Sequence, residues 1–215
     1  IGADGARSSV RELVGLTAIT SSYDQEGVVC TVKAEQGNAC TAWQRFMPTG
    51  PLALLPMNEE YFSIVWSTSP EQAQSLVNAS EESFNQALTQ ASEAVCGKLS
   101  VVGDRAAFPL RKLKADRYVV DGVALIGDAA HVIHPLAGQG VNLGFLDAAM
   151  LMDVLTEARA HRESIGAMGV LRRYERARKG HNLVVQSAMD GFKHLFSNNN
   201  PALSLIRNLG LGVAH

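Results

Sequence analysis

The 215-residue chain is short of several things whose absence sets bounds. It has three cysteines, Cys30, Cys40 and Cys96. An odd number cannot all pair, and their spacing matches no metal-ligand set, so a reducing cytosol is the simpler setting, although Cys30 and Cys40 could lie on neighbouring strands. Cys30 and Cys40 are read as small buried hydrophobes in strands. No stretch reads as a signal peptide or reaches transmembrane length, so contact with a membrane is expected to be peripheral. Basic excess is missing as well: 19 Lys and Arg stand against 21 Asp and Glu, a net charge of −2. That balance argues against a nucleic-acid surface. The local cluster Arg172, Arg173, Arg176, Arg178 and Lys179 is accordingly read as a solvated helix face rather than a polyphosphate or RNA site. Repeats and low-complexity tracts are absent. So is any Gly-x-Gly-x-x-Gly: the nearest arrangement, Gly138, Gly140 and Gly144, has the wrong spacing for a dinucleotide fingerprint.

What the chain does contain is 47% hydrophobic residues, enough to bury a substantial core, in three zones. Residues 1–20 finish a strand carrying Asp4 and Gly5 and enter a short helical turn, with Ser8 or Ser9 as cap and Val10, Leu13 and Val14 expected to pack inward. From about 25 to 115 the character changes. Segments 27–34, 40–47, 51–56 and 61–68 are rich in Val, Thr, Trp, Phe and Tyr between turn residues, which predicts a mainly antiparallel sheet. Helices over 70–77 and 81–96, the second capped by Ser80, and a strand over 99–109 follow. Trp43, Phe46, Tyr61, Phe62 and Trp66 fall in the sheet. Alternate residues on a strand face opposite ways, so only some of these aromatics can line a pocket, the rest being core. Beyond residue 118 helices dominate: 139–159 with the apolar stripe Leu143, Leu146, Ala149, Met150 and Val154, then 170–196, then 203–211 after Asn198, Asn199, Asn200 and Pro201. Met150 and Met152 are expected to fill core.

Residues 123–147 are the most informative. The apolar run 123–126 fits a buried strand ending at Gly127. Asp128 then sits at the carboxyl end of that strand, the edge of an open α/β sheet where ligands lie and where a carboxylate accepts bonds from sugar-like hydroxyls. Alone, it would as readily be a helix cap. Pro135, Gly138, Gln139 and Gly140 follow, and close glycines free backbone amides to face a ligand. The next helix begins there, and its N-terminus, with unpaired N–H groups and partial positive charge, suits an anion or a ring that becomes anionic.

The stretch Gly-Asp-Ala-Ala-His-Val-Ile-His-Pro-Leu-Ala-Gly-Gln-Gly-Val-Asn-Leu-Gly-Phe-Leu-Asp-Ala resembles the second flavin motif of the FAD-dependent aromatic-ring hydroxylases, in the version typical of the ubiquinone-biosynthesis subgroup. The opening Ile-Gly-Ala-Asp-Gly-Ala-Arg-Ser-Ser-Val-Arg resembles the family's Asp-Gly motif, which alone would be only a turn. Together, in the family's order, they carry the resemblance. It implies an α/β fold (an α+β fragment): an incomplete Rossmann-like FAD-binding domain, residues 1–24 and 116–215, with an inserted mainly antiparallel β-sheet substrate domain, 25–115, and C-terminal helices. The family opens on a strand, Gly-x-Gly-x-x-Gly and a helix. With none here and Ile1 in first place, the chain is expected to be a fragment of a longer enzyme, weak in FAD binding and inactive alone.

The activity so implied is hydroxylation of the aromatic ring of a polyprenylated phenol or benzoquinol in ubiquinone biosynthesis, with FAD as cofactor, NAD(P)H as electron donor and O2 as co-substrate, through a flavin hydroperoxide. The setting is cytoplasmic, at most peripheral to the inner membrane, with other ubiquinone-biosynthesis proteins and a second copy of the chain as candidate partners. The resemblance puts Asp4 and Gly5 by the pyrophosphate; Arg7 and Arg11 reach either phosphate or surface carboxylates. It gives Gly127 and Asp128 a ribityl or pyrophosphate-side hydroxyl, and Gly138, Gln139, Gly140, Val141 and Asn142 the flavin's pyrimidine edge. Pro135 forms the wall where oxygen is transferred, with His134 beside it as the candidate to touch flavin or substrate. His131 is read as a turn hydrogen-bonder, and His161, His181, His194 and His215 have no metal-ligand company. Two other readings stand beside this one: a flavin hydroxylase of a soluble aromatic, and a non-catalytic scaffold unable to hold FAD.

Overall fold

The computed structural model describes the backbone of residues 1–134 and 139–196, without the side chains of 139, 189, 190 and 192–196. Pro135, Gly138, His194, His215 and the helix expected at 203–211 thus lie, wholly or by side chain, outside the described residues. In chain order the elements are α1 (Ser9–Leu13), β1 (Ala18–Ala34), β2 (Trp43–Met47), β3 (Gly50–Asn58), β4 (Tyr61–Thr68), α2 (Pro70–Asn78), α3 (Glu81–Ala91), β5 (Leu99–Ala115), β6 (Val119–Val120), β7 (Val123–Ala124), a 3-10 turn (Gly127–Ala129), β8 (His131–Val132), α4 (Gln139–Ala160) and α5 (Met168–Phe196). They form two compact units, one of Ile1–Tyr23 with Arg111–Gly191, the other around Asp24–Leu110.

The second unit is a sheet with helices on one face. Along β1, Val28, Cys30, Val32 and Ala34 are buried while the residues between them are more open, the period of a half-buried strand. The antiparallel register sets Val28 opposite Trp66, Cys30 opposite Ile64 and Val32 opposite Phe62, and sets Leu52 and Leu54 of β3 opposite Trp66 and Ile64. Ala73 and Leu76 of α2 and Phe84 and Leu88 of α3 close this core. Full burial of each such large apolar side chain contributes about 1.5–3 kcal/mol. Ser69 and Ser80 cap α2 and α3 by accepting from the N–H groups of Gln72 and Ser83. Phe62 and Trp66 are core, whereas Trp43 and Phe46 are exposed. Two expectations fail. The helix over 81–96 stops at Ala91, because Glu93 and Ala94 take positive φ values of 54° and 51° and turn the chain toward β5. Cys40 is exposed in a turn with φ 52°, not a buried strand residue; Cys30 is buried, and burial pushes its thiol up to about 11.

In the first unit the chain's opening pairs in parallel with the segment after β7: Gly2 N–H donates to the Ala124 carbonyl at 2.8 Å, and Ile126 N–H donates to the Gly2 carbonyl at 2.9 Å. Ser8 caps α1. Val10 and Val14 pack against the core as expected, but the most buried residue of that helix is Arg11, and Leu13 is 85% exposed. β8 pairs with the end of β5 through Leu113 and Val132. On α4 the buried positions are Leu143, Asp147, Leu151, Val154 and Ala158, so the expected stripe holds at Leu143 and Val154, with Met150 half-buried against the core, and fails at Leu146 and Ala149, which face outward; Met152, expected in the core, is exposed. On α5, Tyr174, Arg178, Asn182 and Gln186 recur every four residues on the buried side. The basic cluster is therefore not uniformly solvated; Arg172 and Arg176 are exposed, but Arg178 points inward because Asp147 supplies its counter-charge.

Candidate functional site

The first unit holds a cleft of about 720 Å³ lined by the strand end (Ala3, Gly5), the turn (Ile126, Gly127, Asp128), the segment after it (Val132, Ile133) and the start of α4 (Gly140, Val141, Gly144, Phe145, Ala148). Local geometry explains the glycines. Gly127 has φ 58°, and a Cβ on Gly144 would stand 3.4 Å from its Cα, so helix and turn touch backbone to backbone. At Gly5 and Gly140 an added Cβ would meet nothing within 4 Å; Gly5 takes φ 85°, which itself favours glycine, whereas at Gly140 neither backbone nor packing demands it, and both residues line the cleft. The wall opposite is apolar and wet, with Val141 and Phe145 exposed. The first turn of α4 brings the positive end of a 22-residue helix to one side.

Beneath the turn lies a buried polar hub. Asp147 is fully buried. Its Oδ2 accepts from Gly127 N–H at 3.0 Å and pairs with His131 Nε2 at 2.5 Å; its Oδ1 accepts from Arg178 Nε at 2.7 Å and Asn182 Nδ2 at 3.2 Å. Burial alone would raise the Asp147 carboxyl, but the hydrogen bond and charge of His131, then Arg178 and the Gly127 N–H, outweigh it and hold it below the ordinary carboxylate value. Arg11 ties the two motif loops together, donating from Nη1 to the Ala129 carbonyl at 2.8 Å and from Nη2 to the Ala6 carbonyl at 2.9 Å. The Tyr174 hydroxyl donates to the Leu125 carbonyl at 2.8 Å, and burial raises its pKa so that it stays protonated. Among the described residues no cluster of His, Cys, Asp or Glu is arranged to hold a metal.

Of the residues singled out from sequence, Gly5, Gly127, Asp128, Gly140 and Val141 come together on this cleft. Asp4 does not line it: its carboxylate accepts from Ser8 Oγ at 2.5 Å and Val10 N–H at 3.1 Å, bonds that lower its pKa, so it shapes the loop behind Gly5. Arg7 and Asn142 are exposed beside the loop and on the first turn of α4. His134 is buried, with its ring 4.6 Å from that of Tyr23 in an edge-on contact. Pro135 and Gly138, and the side chain of Gln139, lie outside the described residues. His131, expected to make a helix-end or turn hydrogen bond, bonds the Asp147 carboxylate in the body of α4. Sequence reasoning missed Asp147 and Arg178. A signal existed: a carboxylate four residues after Leu143 and four before Leu151 sits inside an apolar stripe, and such a group requires a buried donor.

A family profile described as FAD binding domain matches residues 1–188. The chain belongs to that family. Within it, the chain is 42% identical over 214 residues to the 3-demethoxyubiquinol 3-hydroxylase of Escherichia coli (strain K12), covering 100% of this chain and 54% of that protein. It is 39% identical to the mitochondrial ubiquinone biosynthesis monooxygenase COQ6 of Xenopus tropicalis, covering 98% and 53% respectively. Among solved structures, pqsL, a probable FAD-dependent monooxygenase from Pseudomonas aeruginosa, superposes with a TM-score of 0.73 at 27% identity, over 92% of this chain and 56% of that one. The chain thus spans about half the length of the curated relatives it matches. Space in front of Gly5 and Gly140, a carboxylate at Asp128 and an apolar wall are chemically suited to a hydroxylated chain ending in a flat ring.

Proposed function

We propose that the protein is an FAD-dependent monooxygenase that hydroxylates the aromatic ring of a polyprenylated phenol or benzoquinol in ubiquinone biosynthesis. The observation that carries this reading is the convergence of Gly5, Gly127, Asp128, Gly140 and Val141 on one cleft, in a chain whose relatives bear ubiquinone-pathway names. FAD, when bound, supplies electron transfer from NAD(P)H and the activation of O2. In the net reaction one oxygen atom enters a ring C–H bond as hydroxyl, the other leaves as water, and NAD(P)H is oxidised. The chain's own residues bind and orient. Asp128 accepts hydroxyl bonds from the ribityl side; the Gly140 and Val141 amides and the α4 dipole favour negative charge on the flavin ring; Phe145 and Val141 cover its apolar part and exclude water. Gly5 leaves room for the pyrophosphate, and the sheet unit around Asp24–Leu110 is assigned to the substrate. His134 is assigned to packing against Tyr23. No described helix is long and apolar enough to cross a membrane, and the prenylated substrate is met at a membrane surface.

The test is the full-length protein, purified with FAD and supplied with NAD(P)H, isotopically labelled O2 and two phenols, one polyprenylated and one soluble. Incorporation of one labelled oxygen into the prenylated ring is expected. Asp128→Ala should leave the melting temperature unchanged, since Asp128 is exposed, and raise the Kd for FAD about tenfold or more. Absence of retained flavin, or labelling of the soluble phenol alone, overturns the reading.

A further inference from the structure

We propose that Asp147 is a positioning residue of the flavin site, and that Arg178 and Asn182 of α5 set cofactor affinity through it without touching the cofactor. The inference rests on the FAD reading of the cleft. Its basis is the division of labour between the two carboxylate oxygens. Oδ2 serves the turn, taking Gly127 N–H and His131; Oδ1 serves α5, taking Arg178 Nε and Asn182 Nδ2. Arg178 also reaches the Asn182 Oδ1 at 2.8 Å and the Leu143 carbonyl at 3.4 Å, one helical turn before Asp147. One buried charge pair therefore grips the helix whose first turn lines the cleft and the Ile126–Gly127 peptide at the entry to the turn that carries Asp128.

Three features give this arrangement a consequence beyond holding helices together. Gly127 has no side chain and takes φ 58°, so the bond from its N–H to Asp147 holds the Ile126–Gly127 peptide plane, one residue before Asp128, while the Ala130 N–H holds the Gly127 carbonyl. None of Asp147, Arg178 and Asn182 lines the cleft, so any effect they have on FAD must travel through that turn and through α4. Finally, an ion pair this buried is a poor way to gain stability, since well-packed apolar side chains of similar volume do as well or better. A carboxylate is needed where a backbone N–H must be held in one place, and it is this need that separates positioning from scaffolding.

The experiment replaces the pair with apolar side chains. In the full-length protein, Asp147→Leu combined with Arg178→Met is expected to fold with a lowered melting temperature, because Gly127 N–H, His131 and Asn182 lose their acceptor, to raise the Kd for FAD about tenfold or more and to change the visible circular dichroism of the bound flavin. Wild-type affinity and an unchanged flavin spectrum in a folded double variant overturn the proposal and leave the network a scaffold. Should the double variant not fold, Asn182→Ala decides, because it removes one α5 bond to Oδ1 and keeps the ion pair: a Kd raised about threefold supports positioning and an unchanged Kd overturns it. A wild-type protein that retains no FAD overturns the functional reading together with this one, whereas a wild type that holds FAD isolates the failure to Asp147.

Discussion

The two units are held together in different ways. In the sheet unit the interior is a continuous apolar cluster running from Val28 to Leu99, and its buried polar residues, Gln25, Asn38, Ser67, Thr68 and Ser92, are all uncharged. In the flavin unit an apolar cluster of similar make-up, with Leu125, Leu151, Val154 and Tyr174, is crossed by every buried Arg and Asp among the described residues: Arg11, Asp147 and Arg178. Apolar burial is non-directional and fixes volume and face. Buried charged hydrogen bonds are directional and fix where particular backbone groups stand. The unit that holds the proposed cofactor cleft is the one that carries them.

The largest effect that can break this contrast comes from Arg178. Arg178→Met strands the Asp147 carboxylate without its cation and should cost about 3–5 kcal/mol in denaturant unfolding, while Ile64→Val in the sheet core should cost about 1 kcal/mol. Equal costs would erase the distinction between the units. A smaller effect follows from proton linkage. The Asp147 carboxyl is held below its ordinary value in the folded state, so its stabilisation is fully present above the unfolded carboxylate pKa of about 3.9 and is lost as the pH falls below that and through the folded value. Asp147→Asn should flatten the acid side of a plot of melting temperature against pH. Ile64→Val should lower the whole curve without changing its shape.

The same contrast decides what could be read from the sequence. The sheet unit was legible because period-two alternation and turn residues are local: β4 runs from Tyr61 to Thr68 where the composition puts it, and Ser80 caps α3 as its position suggests. The cleft was legible because its glycines and Asp128 stand in a motif whose order is itself the signal. The hub was not. Counting only apolar residues put Leu146 and Ala149 on the inner face of α4, where the structure puts Asp147 and Leu151, because a charged residue was given no place inside. Arg178 was hidden for the same reason among basic neighbours that are solvated, and its partner lies 31 residues away. The 3.6-residue period sees such a face only when polar residues count as candidates for burial.

The smallest expected effect tests that lesson on the shortest helix of the flavin unit. Apolar pattern alone turns Leu13 inward; the structure turns Arg11 inward, where its guanidinium bonds the Ala6 and Ala129 carbonyls. Arg11→Met keeps length and apolar stem but leaves both carbonyls short of a charged donor, which should cost about 1.5–3 kcal/mol. Leu13→Ser, on a residue 85% exposed, should change stability by less than about 0.5 kcal/mol. Thermal melts of the two variants in the full-length protein give the order. The reverse order would mean that Leu13, and not Arg11, meets a packed surface, and that at this position the first unit follows the same apolar rule as the sheet.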